Sequence, residues 1–282
     1  MVAAATRRVS MIGRARGPGG RRWRHLGGAM AAMLKIMRRV SAAGAWVPIL
    51  SRAPSAHEVV LSFDDGPSPA TTPAILDLLA AHGATAAFFL AGQRVKAHPA
   101  LAGAIADAGH EIYAHGYSHV RMDRLSDAEI VAEMERTEAL LAPIRPTPHP
   151  YLLRLPYGSG HGDARVHRVL RGWRPDVQIV HWRYSFLDWT LADGCEGEAN
   201  VAARCGVAVA RARRSKHFPG SIALLHEDPF DAASPLAARI APLLLARTLS
   251  MMAEQGLRTG RLAARERVGR MGRHLRLARL RA

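Results

Sequence analysis

Cysteine is nearly missing from this 282-residue chain, which holds only Cys195 and Cys205. Two thiols cannot build a disulfide framework or a cysteine-based zinc site; one bridge or two free thiols fit, and the redox compartment stays open. Lysine is as scarce, with three residues (Lys35, Lys96, Lys216) against 36 arginines. In an alanine-rich chain that bias fits a GC-rich coding sequence without any binding role. Long apolar runs are missing too: none reaches the roughly 18 residues of a membrane-spanning helix. Acidic residues are absent from positions 1–57, which carry eleven Lys or Arg, and residues 261–282 carry eight Arg and one Glu. The formal charge of +16 therefore divides into +11, −2 and +7 over 1–57, 58–260 and 261–282. The middle is nearly neutral and the basic character belongs to two tails. Solvated tails are the favoured reading, weak contact with an anionic membrane surface is the second, and no specific nucleic-acid partner is expected, because charge alone speaks to association and not to fold.

The N-terminus yields no convincing export signal. Arg14, Arg16 and "GGRRWRH" interrupt the place where a twin-arginine signal needs its apolar core, and "VSAAGAWVPIL" is weakly hydrophobic with a poor cleavage site. Location is thus left between cytoplasm and cell envelope. Met30, Met33, Leu34, Met37 and Val40 share one helical face beside Lys35, Arg38 and Arg39. Packing of that face onto the domain is preferred to membrane attachment.

From Glu58 onward short apolar runs alternate with helical stretches, the pattern of α/β architecture. Strands are expected at "VVLSF", "TAAFFLA", "HEIYAH", "YLLRL", "VQIVHW" and "SIALLH". Between them, helices are expected over Pro69–His82, Pro99–Ala108 and Asp127–Leu141, the last opened by a capping box of Ser126 and Glu129. A further helical region follows Ser234-Pro235, interrupted at Pro242. The organisation is a basic extension (1–57), one catalytic domain (58–260) and a basic tail or helix (261–282).

Polar residues gather at the carboxyl ends of the strands, where parallel α/β folds build their sites. They are Asp64 and Asp65, His115 and His119, Arg154, Asp188 with Trp189, and His226. Histidines four apart can converge on one ion, and a carboxylate, Asp65 or Asp64, would complete the set. Gly116 stands where a zinc-protease helix carries its general base, so the second aspartate is left to accept a proton from water at the metal.

Five motifs, "SFDDGP", "HGYSH", "RLPYG", "FLDW" and "LLH", occur in the order of the NodB-like polysaccharide deacetylases, carbohydrate esterase family 4, which the chain resembles over Val59–Gly260. The resemblance implies a distorted, incomplete (β/α) barrel and a hydrolase that removes acetyl groups from N-acetylated, or less often O-acetylated, glycans. It implies Asp64 as base and Asp65, His115 and His119 as ligands of one divalent metal; the mixed nitrogen and oxygen donors make zinc the preferred ion. Arg154 would hold Asp64, the Tyr157 N–H would stabilise the oxyanion, and His226, supported by Asp188, would be the general acid. Trp189 and Leu225 would wall the acetyl pocket.

Two departures accompany the likeness: Gly116 where the family usually has Ser or Thr, and Leu155 where Pro is common. The stretches carrying His161, Asp163, Glu227, Asp228 and Asp231 adjoin motifs and read as lid, substrate subsite or plain surface. Two alternatives stand beside the deacetylase: a metal phosphoesterase, and a degenerate barrel binding an anionic partner through its tails.

Overall fold

The run ahead of the acidic pair is apolar on both sides of its pleat, as a strand covered on both faces must be. The structure, a computed structural model, describes residues 46–232 and 234–264. The amphipathic face read over Met30–Val40 and the tail beyond residue 264 lie outside them. In chain order the elements are β1 (Ile49–Leu50), β2 (Glu58–Asp64), α1 (Thr72–Ala81), β3 (Ala86–Leu90), α2 (Gly92–Ala97), α3 (Pro99–Asp107), β4 (Glu111–Ala114), α4 (Asp127–Leu141) and β5 (Leu152–Leu153). There follow α5 (Ala164–Trp173), β6 (Gln178–Val180), β7 (Tyr184–Ser185), α6 (Glu198–Arg214), β8 (Ile222–His226), α7 (Ile240–Glu254) and β9 (Arg258–Thr259).

The sheet runs β1-β6-β5-β4-β3-β2-β8-β7, with β9 beside the start of β2, and every strand pair is parallel. Helices cover its outer face, giving the curled, incomplete barrel that the resemblance implied. The chain after β1 crosses to β8 through an antiparallel bridge between Arg52 and Ser221, a short irregular seam where a full barrel would carry ladder pairing.

All six expected strands form. Asp127–Leu141 is a helix with both halves of its capping box in place. Pro242 is a correction: it is the third residue of α7, inside the first turn, where no intrahelical N–H is lost, so the helix continues through it.

Side-chain alternation explains where the site lies. Val59, Leu61, Phe63, Phe88, Leu90, Ala223 and Leu225 belong to the large core between sheet and helices. Val60, Ala87, Phe89, Tyr113, Leu152, Val180 and Ile222 form a smaller cluster on the opposite, concave face, joined by Leu262. Stepping by two along the concave face leads from Val60 to Ser62 and Asp64, from Tyr113 to His115, from Leu152 to Arg154, and from Ile222 to Leu224 and His226. The strand period itself delivers these polar residues to one end of the concave side.

Candidate active site

Register sets the height of each group. Asp64 is paired with His226 on β8, and Leu153, just before Arg154, with Ala114, just before His115. Asp64 ends β2 facing inward, so the next residue should face the helices. Asp65 avoids this by leaving the strand at φ 74°, which brings its carboxylate back to the same cavity. His119, Tyr157 and Leu187 also have positive φ, at 53°, 57° and 55°. Among the described residues these four are the non-glycine positions in that region; Asp65, His119 and Tyr157 line the cavity and Leu187 directly precedes Asp188, so sparsely populated backbone is held where the site is built.

The Arg154 guanidinium is fully buried. It donates to Asp64 Oδ1 at 2.6 Å and to Ser62 Oγ at 2.9 Å, and lies 4.0 Å above the Phe89 ring. Burial lowers its pKa, opposed by the Asp64 charge. Asp64 Oδ2 is 3.6 Å from His115 Nε2.

Asp65, His115 and His119 bring one donor atom each to within 4.8 Å of one another, all buried. His115 Nδ1 lies 3.0 Å from the Arg154 carbonyl, so the proton sits there and Nε2 keeps its lone pair for the cavity. His119 Nε2 is 3.0 Å from Asp65 Oδ1, an oxygen with no hydrogen-bond partner. A buried, unpartnered carboxylate oxygen facing two imidazole nitrogens fits a divalent cation. Burial raises the Asp65 pKa, but the adjoining imidazoles of His115 and His119 and the charge of His226 outweigh it and hold the carboxyl well below its ordinary value.

His226 faces this group from β8. Its Nδ1 is 3.0 Å from Asp188 Oδ1, and its backbone N–H donates to Asp188 Oδ2 at 2.6 Å. Burial pulls the His226 pKa down, yet the charge and hydrogen bond of Asp188, with Asp65 and Asp64 beyond, push it up to about 9.

Asp64, Asp65, His115, His119 and His226 line a cavity of about 370 Å³ together with Tyr157, Gly158, Trp182, Trp189, Leu224 and residues 229–232, with Arg154 and Asp188 behind its wall. Trp189 lines this cavity. Leu225 is a correction: it points to the helix-facing core, and Leu224, one residue earlier and on the same side as His226, lines the cavity. A one-residue shift in a strand exchanges faces.

The flanking polar residues separate. The Tyr157 hydroxyl donates to Asp231 at 2.7 Å across the cavity mouth. Asp228 sits 3.9 Å from Arg94, Asp163 caps α5, and His161 stacks on His181 at 4.5 Å. Glu227 is fully buried behind the turn after Asp65, accepting from the Thr72 hydroxyl. Phe230, which sequence reasoning passed over, stacks on His119 at 4.5 Å and donates its N–H to Asp65 Oδ2 at 3.4 Å. Ser62 was legible in principle, two residues before Asp64 on the same face.

Residues 51–172 match the family model described as polysaccharide deacetylase. A peptidoglycan-N-acetylglucosamine deacetylase of Bacillus cereus is 31% identical over 172 residues, 61% of this chain and 56% of that protein, so the match spans little more than half of that relative. A chitooligosaccharide deacetylase of Rhizobium leguminosarum bv. trifolii is 31% identical over 182 residues, 64% of this chain and 76% of that one. Among solved structures, the Bc1960 peptidoglycan N-acetylglucosamine deacetylase superposes with a TM-score of 0.61 at 26% identity, covering 78% of this chain and 92% of its own. With the fold, the motif order and these likenesses in agreement, the chain belongs to the polysaccharide deacetylase family.

Proposed function

We propose that this protein is a metal-dependent deacetylase of N-acetylated glycans, with Asp65, His115 and His119 holding one divalent cation, preferably zinc. The observation that carries the reading is the pair of opposed dyads around the three ligating side chains: Asp64 with Arg154, and His226 with Asp188. One dyad offers a carboxylate, the other a protonated imidazole, and groups so separated divide base from acid. The mixed nitrogen and oxygen donor set suits zinc.

A cation at the three ligands would polarise an acetamide carbonyl and a water molecule. Asp64, oriented by Arg154, takes a proton from the attacking water as its oxygen bonds to the acetamide carbon. The Tyr157 N–H donates to the oxygen that gains charge. His226 then gives its proton to the departing amine nitrogen, and Asp188 steadies the imidazolium until it does. Leu224 and Trp189 shape the wall for the acetyl methyl and keep bulk water out. The relatives named for peptidoglycan N-acetylglucosamine and chitooligosaccharides favour an N-acetylglucosamine-containing glycan as substrate and action at the cell envelope. A two-metal phosphoesterase draws less support, since the ligating side chains that converge among the described residues are the single trio Asp65, His115 and His119.

The test is acetate release from N-acetylglucosamine oligomers and peptidoglycan fragments before and after chelation, with phosphate esters as counter-substrates. Acetate release that stops on chelation and returns with zinc is the expected result. Release indifferent to chelation, or turnover of phosphate esters alone, would remove the proposal.

A further inference from the structure

The two ligating histidines stand on very different supports. His115 continues β4: its N–H donates to Leu90 O at 3.0 Å, and its ring is tied to Arg154 O. His119 closes a loop that has left the sheet, at φ 53° and three residues past a Gly116 at φ 72°. Carbonyls of that loop accept from α2, Gly116 O from the Gly92 N–H and Tyr117 O from the Gln93 N–H, both at 2.9 Å. Its amides go elsewhere.

Glu133, in the second turn of α4, meets two of them, those of Tyr117 and Ser118. Oε2 accepts from the N–H groups of Tyr117 at 2.8 Å and Ser118 at 2.9 Å, and Oε1 accepts from the Ser118 hydroxyl at 2.7 Å. The carboxylate is only 7% exposed, so these bonds are made with little competition from water. Two consecutive amides aimed at one anionic oxygen define the turn in which residue 119 can take its left-handed conformation. Gly116 leaves the space this needs: a Cβ there would sit 2.9 Å from Met122 Cε and 3.4 Å from Glu133 Oε2. A loop with no hydroxyl at position 116 is braced from the helix behind it.

We propose that Glu133 is the positioning residue of the metal centre, holding loop 116–119 so that His119 Nε2 faces Asp65, and thereby setting metal affinity without touching the ion. This rests on the metal-centre reading above. The brace acts on one ligand of the three. His115, anchored by the sheet, and Asp65, on another loop, are independent of it.

The test titrates Zn2+ alone, against a competing chelator, into metal-free wild type, Glu133→Gln and Ser118→Ala, with thermal unfolding of each. Glu133→Gln puts an NH2 or a neutral oxygen before the amides and should weaken zinc about 10- to 100-fold, the usual reach of groups that orient ligands. Ser118→Ala, which removes one contact of three, should weaken it severalfold while the protein stays folded. In the metal-free variants the His119 ring signals should shift in NMR spectra while those of His115 stay in place. A folded Glu133→Gln with wild-type zinc affinity and unmoved His119 signals would overturn the proposal, leaving Glu133 a stabilising link only. If Glu133→Gln does not fold, unchanged affinity in Ser118→Ala overturns it instead. Failure of the wild type to bind zinc would sink the metal-centre reading and this proposal together, whereas binding with insensitive variants sinks the proposal alone.

Discussion

Adjacent residues of a strand normally look in opposite directions, and Asp65 reaches the cavity beside Asp64 only through its positive φ. Their substitutions should therefore fail differently. Asp65→Asn weakens a charged ligand, so activity should fall with metal affinity and partly return in excess metal. Asp64→Asn leaves the three ligands in place but cannot take a proton, so metal should stay bound while kcat drops by roughly two to four orders of magnitude. Bound metal by elemental analysis and acetate release across metal concentrations separate the two; an Asp64→Asn protein that loses metal would reverse the roles. Glu227 is a second residue with a measurable signature. Burial pushes its carboxyl up to about 8 from an ordinary 4.5, against the Thr72 hydrogen bond and the Arg94 charge. Between those values the folded protein keeps a proton that the unfolded chain has released, so stability falls as pH rises through that window and levels off above it. Glu227→Gln cannot ionise, and in the metal-free protein its advantage in Tm over wild type should grow from pH 5 to pH 8. Parallel Tm curves for the two proteins would mean that Glu227 is not held protonated.

At the scale of elements, the segment after β8 roofs the cavity: Phe230 lies against His119, Arg94 lies 4.0 Å from the Phe230 ring, and Asp231 holds Tyr157. Asp231→Ala should release the roof from Tyr157 and change KM severalfold while kcat stays within about threefold, because the contact is made at the rim and not at the reacting atoms. A large loss of kcat with KM unchanged would place Asp231 in the chemistry. The strands that carry the site were legible because each is a buried apolar run broken by a polar residue, and α4 because Ser126 and Glu129 announce its start. Strands β1, β7 and β9 were not: two residues carry no period, and only pairing with a longer neighbour defines them. Helix α5 was hidden in a stretch read as loop from its flanking glycines and histidines, and α6 in a run whose apolar positions are mostly alanine. Leu225 was chosen over Leu224 because both stand in one motif; the parity with His226 that distinguishes them is in the sequence. Glu133 had no local signal, since its partners lie across a turn of chain that only the fold brings near.

The concave side of the whole molecule is one column of contacts from the catalytic end to the far end. Arg154 lies over Phe89, Phe89 stacks on Tyr113 at 5.4 Å, and the Tyr113 hydroxyl donates to Glu111 at 3.0 Å. Glu111 in turn accepts the Leu262 N–H at 3.0 Å, while Arg261 donates to Gly109 O at 2.8 Å. Residues 261–264 thus close the barrel opposite the cavity, with Leu262 and Ala264 packed on the inner apolar cluster. A chain ending after Gly260 would uncover that cluster and leave the half-buried Glu111 carboxylate, whose pKa burial already raises, without its backbone donor. Lost apolar contact and a lost hydrogen bond to a charged group together amount to about 2–3 kcal/mol. For a domain of this size that corresponds to a Tm lower by roughly 4–12 °C. The comparison is between chains stopped after Gly260 and after Ala264, followed by thermal unfolding, with a Leu262→Ala protein expected in between. Equal Tm for the two shortened chains would mean that the plug adds nothing and that the domain is complete at Gly260. A drop in Tm accompanied by weaker zinc binding would show that the column transmits the loss to Arg154 and Asp64, and so to the catalytic end.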